Sequence, residues 1–251
     1  MRDLLEALTA GISLPEVLLL WLVVVLAAVL RAFTGFGFAL AAMPVFALVM
    51  PPTEAVVLSA SLTLAVNLLT VKSYWGVFPL RPLMPMLLLA GLGTWVGANL
   101  LERFSPAQFR FWIGAAVIAA CALLAFYRPR HHRHGPWLGG LTGMASGLLN
   151  GAFAIPGPPV IVYAMATEPQ PARSRALLMT FFLGAALMAL AAYASAGFVT
   201  TRAPWLFLLA FPAMFLGDKL GFWLFDRYGG RLYRRVALLV LFAIGASIMF
   251  A

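Results

Sequence analysis

Glycines and a proline interrupt a long apolar run near the N-terminus. The interruption is residues 34–38 (Thr-Gly-Phe-Gly-Phe), and Pro44 follows shortly after it. A broken helix leaves N–H and C=O groups that hydrocarbon cannot satisfy, so a break is tolerated only where protein or a wet cavity covers it. A second interruption occupies residues 150–159 (Asn-Gly-Ala-Phe-Ala-Ile-Pro-Gly-Pro-Pro). Interrupted apolar segments at corresponding places in two halves are typical of binding sites in secondary transporters.

The composition indicates an integral membrane protein. Of 251 residues, 63% are hydrophobic and 10% are charged, and the mean hydropathy is +0.98. Soluble domains carry about 25% charged residues. The net charge of +9 falls mainly in short loops between apolar segments, where positive charge marks cytoplasmic loops that face anionic lipid. We therefore expect a lipid bilayer as the surroundings and no nucleic-acid partner.

The apolar segments predict an all-α polytopic fold. A membrane span needs about 20 apolar residues, and the chain offers about eight hydrophobic segments when 15–33 and 34–50 are counted as the two arms of one interrupted segment. The candidate segments are 15–33, 34–50 (short), 53–72, 82–101, 107–127, 136–166 (interrupted), 175–196, 203–225 and 231–250.

An internal repeat divides these segments into two halves. Residues 93–97 (Gly-Thr-Trp-Val-Gly) recur at a constant offset of 124 as residues 217–221 (Gly-Asp-Lys-Leu-Gly). An acid–Arg–aromatic triplet follows each at the same offset. Upstream, a Pro-Val pair recurs at an offset of 115, at Pro44 and Pro159. Together these matches predict one integral membrane domain with three parts. The parts are an N-terminal repeat (1–127), a basic connecting loop (128–134) and a C-terminal repeat (135–251).

The distribution of basic residues predicts that the repeats are inverted. If 136–166 crosses the membrane once, the basic residues divide eight against six; if it enters and leaves on one side, they divide eleven against three. The positive-inside rule favours the second arrangement, and arms of 136–148 and 159–166 are each too short to span. Each repeat would then be a broken or re-entrant hairpin plus three transmembrane helices. Because three is an odd number of membrane crossings, the second repeat would begin on the opposite side from the first, and the repeats would be inverted. For 15–50 the sequence leaves open whether the first arm crosses fully.

The second break predicts an anion site built from backbone. Pro156 and Pro158 lack N–H groups, and a half-helix that starts after the break points its free N–H groups and positive dipole end into the protein. Asn150 is expected to cap the broken end. The glycines every fourth residue up to Gly151 allow close helix approach, and helix packing alone also explains them. The substrate-binding candidates here are Asn150, Gly151, Ala152, Phe153, Pro156, Gly157 and Pro158.

The first break predicts the other side of the same site. Its glycines would expose backbone N–H groups and its phenylalanines would wall the cavity, while Arg31 would be buried near the turn, where a charge is usually functional. An ordinary interfacial arginine is the alternative. Asn67 either binds a substrate oxygen or makes an interhelical hydrogen bond. The candidates of this half are Arg31, Thr34, Gly35, Phe36, Gly37, Phe38 and Asn67.

Few other residues offer chemistry. Asp218 and Lys219 form the only charged pair within a predicted span, and Asp218 is a candidate for coupling transport to an ion. Cys121 is the only cysteine, which excludes an intrachain disulfide and a cysteine-built metal site. Three histidines lie together in the 128–134 loop, which we interpret as a solvated connector. We expect no cofactor and no metal.

The two interrupted segments, the two Gly-xxx-Gly helices and the basic middle loop resemble the sulfite exporter TauE/SafE family of membrane permeases over residues 15–250. The resemblance implies transport of sulfite, sulfonates or related organosulfur anions across the bacterial cytoplasmic membrane. The family glycine motifs fall on Gly35, Gly37 and Gly151, and Ala152 stands where a further glycine is expected.

The sequence therefore predicts a secondary transporter that moves a small anion by alternating access, and the resemblance implies that this anion contains sulfur. The alternatives are a permease for another small anion or metabolite, an intramembrane enzyme, or a structural membrane subunit. An enzyme is disfavoured because all three histidines lie in one loop and Asp218 has no acidic partner within a span. The basic loop is expected on the cytoplasmic side, and a homodimer is left open.

Overall fold

A computed structural model describes residues 13–126 and 136–228. The predicted connecting loop 128–134 and the predicted span 231–250 lie outside these residues. Within them the chain forms nine α-helices and no β-strand. The helices are α1 (Leu14–Thr34), α2 (Phe38–Val49), α3 (Pro52–Leu69), α4 (Met84–Leu101), α5 (Pro106–Phe126), α6 (Pro136–Phe153), α7 (Gly157–Thr167), α8 (Pro171–Ser195) and α9 (Ala203–Tyr228). Two 3₁₀ turns, Val71–Ser73 and Arg81–Leu83, lie between α3 and α4.

Proline marks the beginning of almost every helix. A proline in the first turn costs no hydrogen bond, because the N–H groups there lack intrahelical acceptors. Eight of the nine described helices carry one within their first three residues: Pro15, Pro52, Pro85, Pro106, Pro136, Pro158, Pro171 and Pro204. The exception is α2, which begins at a glycine pair and holds Pro44 in its interior.

The described helices confirm a polytopic membrane protein. Five stretches are long and apolar enough to cross a membrane: Leu14–Ala32, Pro52–Leu69, Arg81–Leu101, Ala172–Ser195 and Ala203–Leu224. The short apolar helix Phe38–Val49 is not. α6 has 18 residues, about 27 Å at 1.5 Å per residue, and is longer than the predicted arm 136–148. The length argument for a re-entrant second hairpin is therefore weaker than the sequence suggests.

The order of helices repeats along the chain. A long helix, a break and a short helix (α1–α2) precede α3 and α4, and the same series recurs as α6–α7, α8 and α9. The broken helix of each half packs against the Gly-xxx-Gly helix of the other: α1 against α9 and α6 against α4. α3 and α8 also pack together. The halves are thus joined by exchanged contacts.

Glycine permits the closest of these contacts. A methyl group at Gly93 of α4 would lie 2.5 Å from the carbonyl oxygen of Met144, and one at Gly147 of α6 would meet the carbonyl oxygen of Ala90. In the equivalent pair, a methyl group at Gly217 of α9 would lie 2.5 Å from the carbonyl oxygen of Val25. Small residues let helix backbones approach in this way. The successive contacts show that α4 and α6 run in the same direction, as do α9 and α1.

The larger apolar core surrounds the first break. Its buried side chains come from α1, α2, α3, α5, α8 and α9, with the ends of α4 and α6 included. A smaller cluster joins the segment after α3 to α4, α7 and α8. The two breaks lie where these clusters meet.

Candidate functional site

The two breaks meet at one cavity. It is lined by both breaks and by side chains of α3 and α8, and its volume is about 40 Å³. A water molecule occupies about 10–15 Å³ on this measure, so the cavity suits about three waters or an anion of a few atoms. Nine residues predicted for the site line it: Arg31, Gly35, Phe36, Gly37, Phe38, Asn67, Asn150, Pro156 and Gly157.

The helix before each break ends in the same backbone turn, although the half-helices that follow begin differently, with Gly37 at φ +94° before α2 and Pro156 at φ −74° before α7. Gly35 has φ +77°, and its N–H donates to the carbonyl oxygen of Arg31 at 2.8 Å. Ala154 has φ +53°, and its N–H donates to the carbonyl oxygen of Asn150 at 2.8 Å. A left-handed residue that ends a helix in this way is usually glycine. Gly35 and Ala154 are therefore equivalent, as are Arg31 and Asn150, at an offset of 119 residues.

This correspondence adds two details to the predicted repeat. The offset of 115 that pairs Pro44 with Pro159 differs from the offset of 119 at the breaks. Ala154 holds the left-handed conformation that Gly35 holds at the first break, whereas Ala152, where the resemblance leads us to expect a glycine, lies within α6.

At the first break, Arg31 is the centre of a buried polar cluster. The side chain of Arg31 is 3% exposed. Its Nη1 donates to Oδ1 of Asp218 at 3.1 Å, and its Nη2 donates to Oδ1 of Asn67 at 3.0 Å and to Oγ1 of Thr70 at 2.9 Å. The charge is thus matched by one carboxylate, as a buried ion requires. This geometry contradicts the alternative of an interfacial arginine.

At the second break, a neutral pair takes the same place. Nδ2 of Asn150 donates to Oγ1 of Thr94 at 3.2 Å and to the carbonyl oxygen of Ala185 at 2.8 Å. Thr94 and Asp218 are equivalent within the Gly-xxx-Gly repeat, so Asn150–Thr94 corresponds to Arg31–Asp218. The prediction that the Asn150 side chain caps the broken helix is wrong: it joins α6 to α4 and α8 instead.

A tyrosine supports each cluster from an equivalent position. The hydroxyl of Tyr74 donates to the carbonyl oxygen of Asn67 at 2.9 Å, and that of Tyr193 donates to the carbonyl oxygen of Asn150 at 2.6 Å. Burial raises the pKa of the Tyr74 hydroxyl, and the positive charge of Arg31 opposes this shift. The hydroxyl therefore stays protonated and serves as a donor.

The two half-helices present different numbers of donors to the cavity. The first intrahelical bond of α2 runs from the N–H of Ala41 to the carbonyl oxygen of Gly37, and residues 38–40, which precede it, line the cavity. The first turn of α7 contains Pro158 and Pro159, which have no N–H. The positive end of α2 is therefore the better anion donor of the two.

Other predicted residues lie away from the cavity wall. Gly151 packs against the backbone of α4 at Thr94, and Phe153 stacks on Phe104 at 5.8 Å between ring centroids. Ala152 and Pro158 are buried without lining the cavity. Thr34 is the last residue of α1, and its side chain is outside the described part of the structure.

The structure also brings in residues that the sequence analysis missed. Arg175 of α8 lies against Gly35, and its Nη2 donates to the carbonyl oxygen of Ala32 at 3.0 Å. In the sequence analysis Arg175 was only one of the eleven basic residues assigned to one side of the membrane, as a cation of the loop that precedes the predicted segment. Thr70, Thr94, Tyr74 and Tyr193 complete the two clusters; the two tyrosines share the offset of 119, a signal that the sequence contained.

Fold and site together define a polytopic α-helical membrane protein in which two broken helices meet at one small, buried, polar cavity. A family model described as sulfite exporter TauE/SafE matches residues 20–248. The chain therefore belongs to this family of membrane permeases, which confirms the resemblance drawn from the motifs. It is a family of transporters, in agreement with the expectation that the chain is not an enzyme. No curated protein and no solved structure matches the chain.

Proposed function

We propose that the chain is a secondary transporter that moves a small sulfur-containing anion, such as sulfite or a sulfonate, across the bacterial cytoplasmic membrane by alternating access. The observation that carries the proposal is the single cavity between the two breaks, with Arg31 and Asn150 on its wall. Transporters of this architecture bind substrate where broken helices meet.

The chemistry of the wall suits an oxyanion. Arg31 brings a positive charge, the first turn of α2 brings backbone donors, and Asn67 brings a side-chain amide that gives one N–H to the carbonyl oxygen of Thr63. Asn150 shapes the wall, with both N–H groups of its amide bonded to Thr94 and Ala185. The aromatic rings of Phe36, Phe38 and Phe182 and the proline ring of Pro156 supply apolar walls that exclude water. The volume of about 40 Å³ excludes large organic anions in this conformation. The choice of a sulfur anion rests on the family.

We further propose that the halves are inverted in the membrane. Support comes from helix directions: α1 runs with α9, and α6 runs with α4. Along the α3–α8 pair, Leu68 and Leu183 share one surface pocket while Val57 and Ala194 share another, as expected for helices of opposite direction. A short segment joins α3 to α4 and another joins α8 to α9, so α4 runs opposite to α3 and α9 runs opposite to α8. Because α3 and α8 run in opposite directions, α4 and α9 do so as well.

Cysteine labelling tests this topology. In a Cys121→Ala background, single cysteines at Glu168 and Thr200 should react with impermeant reagents from opposite sides of the membrane, because α8 crosses between them. A cysteine at His132 should react from the same side as one at Glu168 if 136–166 is re-entrant. Labelling of 132 and 168 from opposite sides would contradict the re-entrant hairpin.

The three asparagines of the chain provide the test of the site. Asn67 and Asn150 line the cavity, whereas Asn99 is exposed and its Nδ2 donates to the carbonyl oxygen of Trp95 within α4. In reconstituted vesicles, Asn67→Ala and Asn150→Ala should each reduce sulfite flux about tenfold, the equivalent of one buried hydrogen bond. Asn99→Ala should leave it unchanged. Equal flux in all three variants would remove the assignment of the cavity.

A further inference from the structure

Only one member of the ion pair at the first break lines the cavity. Arg31 lines the cavity, while Asp218 lies behind it on α9 and is not part of the wall. Both side chains are buried, at 3% and 10% exposure. As long as Asp218 is ionised, the pair is neutral. An anion that enters the cavity then competes with Asp218 for Nη1 of Arg31. A buried carboxylate that loses this hydrogen-bonded partner is costly to keep ionised.

We infer that Asp218 is the proton-binding group of the transport cycle: it takes up a proton when an anion binds Arg31, and it releases that proton with the anion. This inference rests on the proposed function. One proton from the side of entry joins the carboxylate to give a carboxylic acid, and Arg31 becomes the counter-ion of the substrate. On release, the proton leaves Asp218 and the ion pair with Arg31 re-forms. One proton moves with one monoanion, so the step carries no net charge.

The charged neighbours of Asp218 favour its ionised form while the cavity is empty, as the release step requires. From α1 the carboxylate faces Arg31; from α8, Arg175 acts on it electrostatically, as does Lys219 next to it on α9. Lys219 places its ammonium 5.5 Å from the ring centroid of Phe215, on its own helix. From α3, Asn67 and Thr70 reach Arg31 rather than the carboxylate, and Tyr74 is likewise bonded to Asn67.

The side chains around Arg31 would hold it in place during the exchange. Its Nη2 keeps both Asn67 and Thr70 as acceptors when Nη1 turns from Asp218 to the anion. The arginine therefore stays at the cavity wall while its counter-ion changes.

The second break shows that the equivalent turn forms without an ion pair. Asn150 and Thr94 occupy the equivalent positions, at 3.2 Å, and neither side chain titrates. Replacing the charged pair by Arg31→Asn with Asp218→Thr would copy a geometry that the protein already contains. It also leaves no unpaired buried charge.

The experiment uses vesicles that contain the full-length protein, with labelled sulfite and labelled methanesulfonate as probes; methanesulfonate keeps one negative charge throughout the working pH range. Wild type should accumulate the anion about tenfold for each unit of inward pH difference. An imposed membrane potential should have no effect on this accumulation, because the step is electroneutral.

Asp218→Asn should still exchange labelled for unlabelled anion but should lose the accumulation driven by pH. Its anion flux should now respond to membrane potential, because the anion would move without a proton. A purely structural role of Asp218 would not make transport depend on the potential. The Arg31→Asn, Asp218→Thr double variant should fold but should lose anion uptake, because Arg31 is part of the cavity wall. Glu168→Gln, which neutralises the acid paired with Arg173 at 3.5 Å outside the cavity, is the matched control and should behave as wild type.

Three outcomes separate the two proposals. If wild type moves neither probe, the proposed function fails, and this inference fails with it. If wild type moves a probe and Asp218→Asn keeps the full accumulation driven by pH, the inference alone is overturned. If Asp218→Asn does not fold, Asp218→Glu decides, because it keeps both a titrating carboxyl group and Arg31: a shifted pH profile of uptake supports the inference, and the wild-type profile overturns it.

Discussion

The two breaks form the same backbone turn around different chemistry. At the first, Arg31 pairs with Asp218; at the second, Asn150 pairs with Thr94, in equivalent positions and at nearly equal distances of 3.1 and 3.2 Å. Because the neutral pair supports the same turn, the charges at the first break are not needed to form it. Buried ion pairs contribute little net stability compared with neutral substitutes, so the charge at the first break is best explained by binding and transport.

The largest effect should come from breaking the charged pair on one side only. Arg31→Ala leaves Asp218 buried without its counter-ion, which should lower the free energy of unfolding by about 3–5 kcal/mol. The Arg31→Asn, Asp218→Thr double variant should be much closer to wild type. Thermal unfolding in detergent measures both. A single variant as stable as the double variant would mean that the pair is not electrostatically coupled in the folded protein.

A smaller loss should follow from crowding the helix contact of the second half. Gly147→Ala places a methyl group against the carbonyl oxygen of Ala90 and forces α4 and α6 apart, at a cost of about 1–3 kcal/mol. The control is Gly91→Ala on α4. Its added methyl group would meet only the sulfur of Met188, at 3.5 Å, so the free energy of unfolding should change little. The difference in unfolding temperature between the two variants measures the tightness of the α4–α6 contact.

Substitutions of the left-handed residues at the two breaks should change the free energy of unfolding in opposite directions. Ala154→Gly should raise the free energy of unfolding by about 1 kcal/mol, because glycine adopts positive φ without strain. Gly35→Ala should lower it by more than that amount, since the added methyl group would also lie 2.7 Å from Cγ of Arg175. Chemical denaturation of both variants tests the pair. A change of the same sign in both would contradict the equivalence of the two turns.

The smallest effects concern the supporting tyrosines. Tyr74→Phe and Tyr193→Phe each remove one hydroxyl that donates to a backbone carbonyl oxygen, with an expected loss of about 1 kcal/mol. Tyr74→Phe should alter anion flux more, because its acceptor Asn67 also holds Arg31. Flux and unfolding temperature measured on the same preparations separate the two effects.

Local signals in the sequence predicted most of the fold. Glycine and proline mark the breaks and helix starts regardless of what packs around them, so the segments and both interruptions appeared where the structure has them. The positions of Arg31, Asn67 and Asn150 on one cavity followed from treating the breaks as two sides of one site.

What the sequence did not predict depends on packing between distant helices. The partner of Arg31 is 187 residues away, and the repeat that relates Asp218 to Thr94 matches glycines rather than the polar residues between them. The orientation of the Asn150 side chain is set by α4 and α8, so its position at a helix end wrongly suggested a cap. Arg175 likewise seemed a loop cation because only the folded chain brings it to Gly35.

The exchanged packing of α1 on α9 and of α6 on α4 also affects biosynthesis. α1 leaves the ribosome before α9, so the helix against which it packs is completed only after residues 203–228 have been made. During that interval Arg31 has no Asp218 to neutralise it. The insertion machinery must therefore shelter a charged, unpartnered helix through the synthesis of more than half the chain, and separately expressed halves should be stable only when they are produced together.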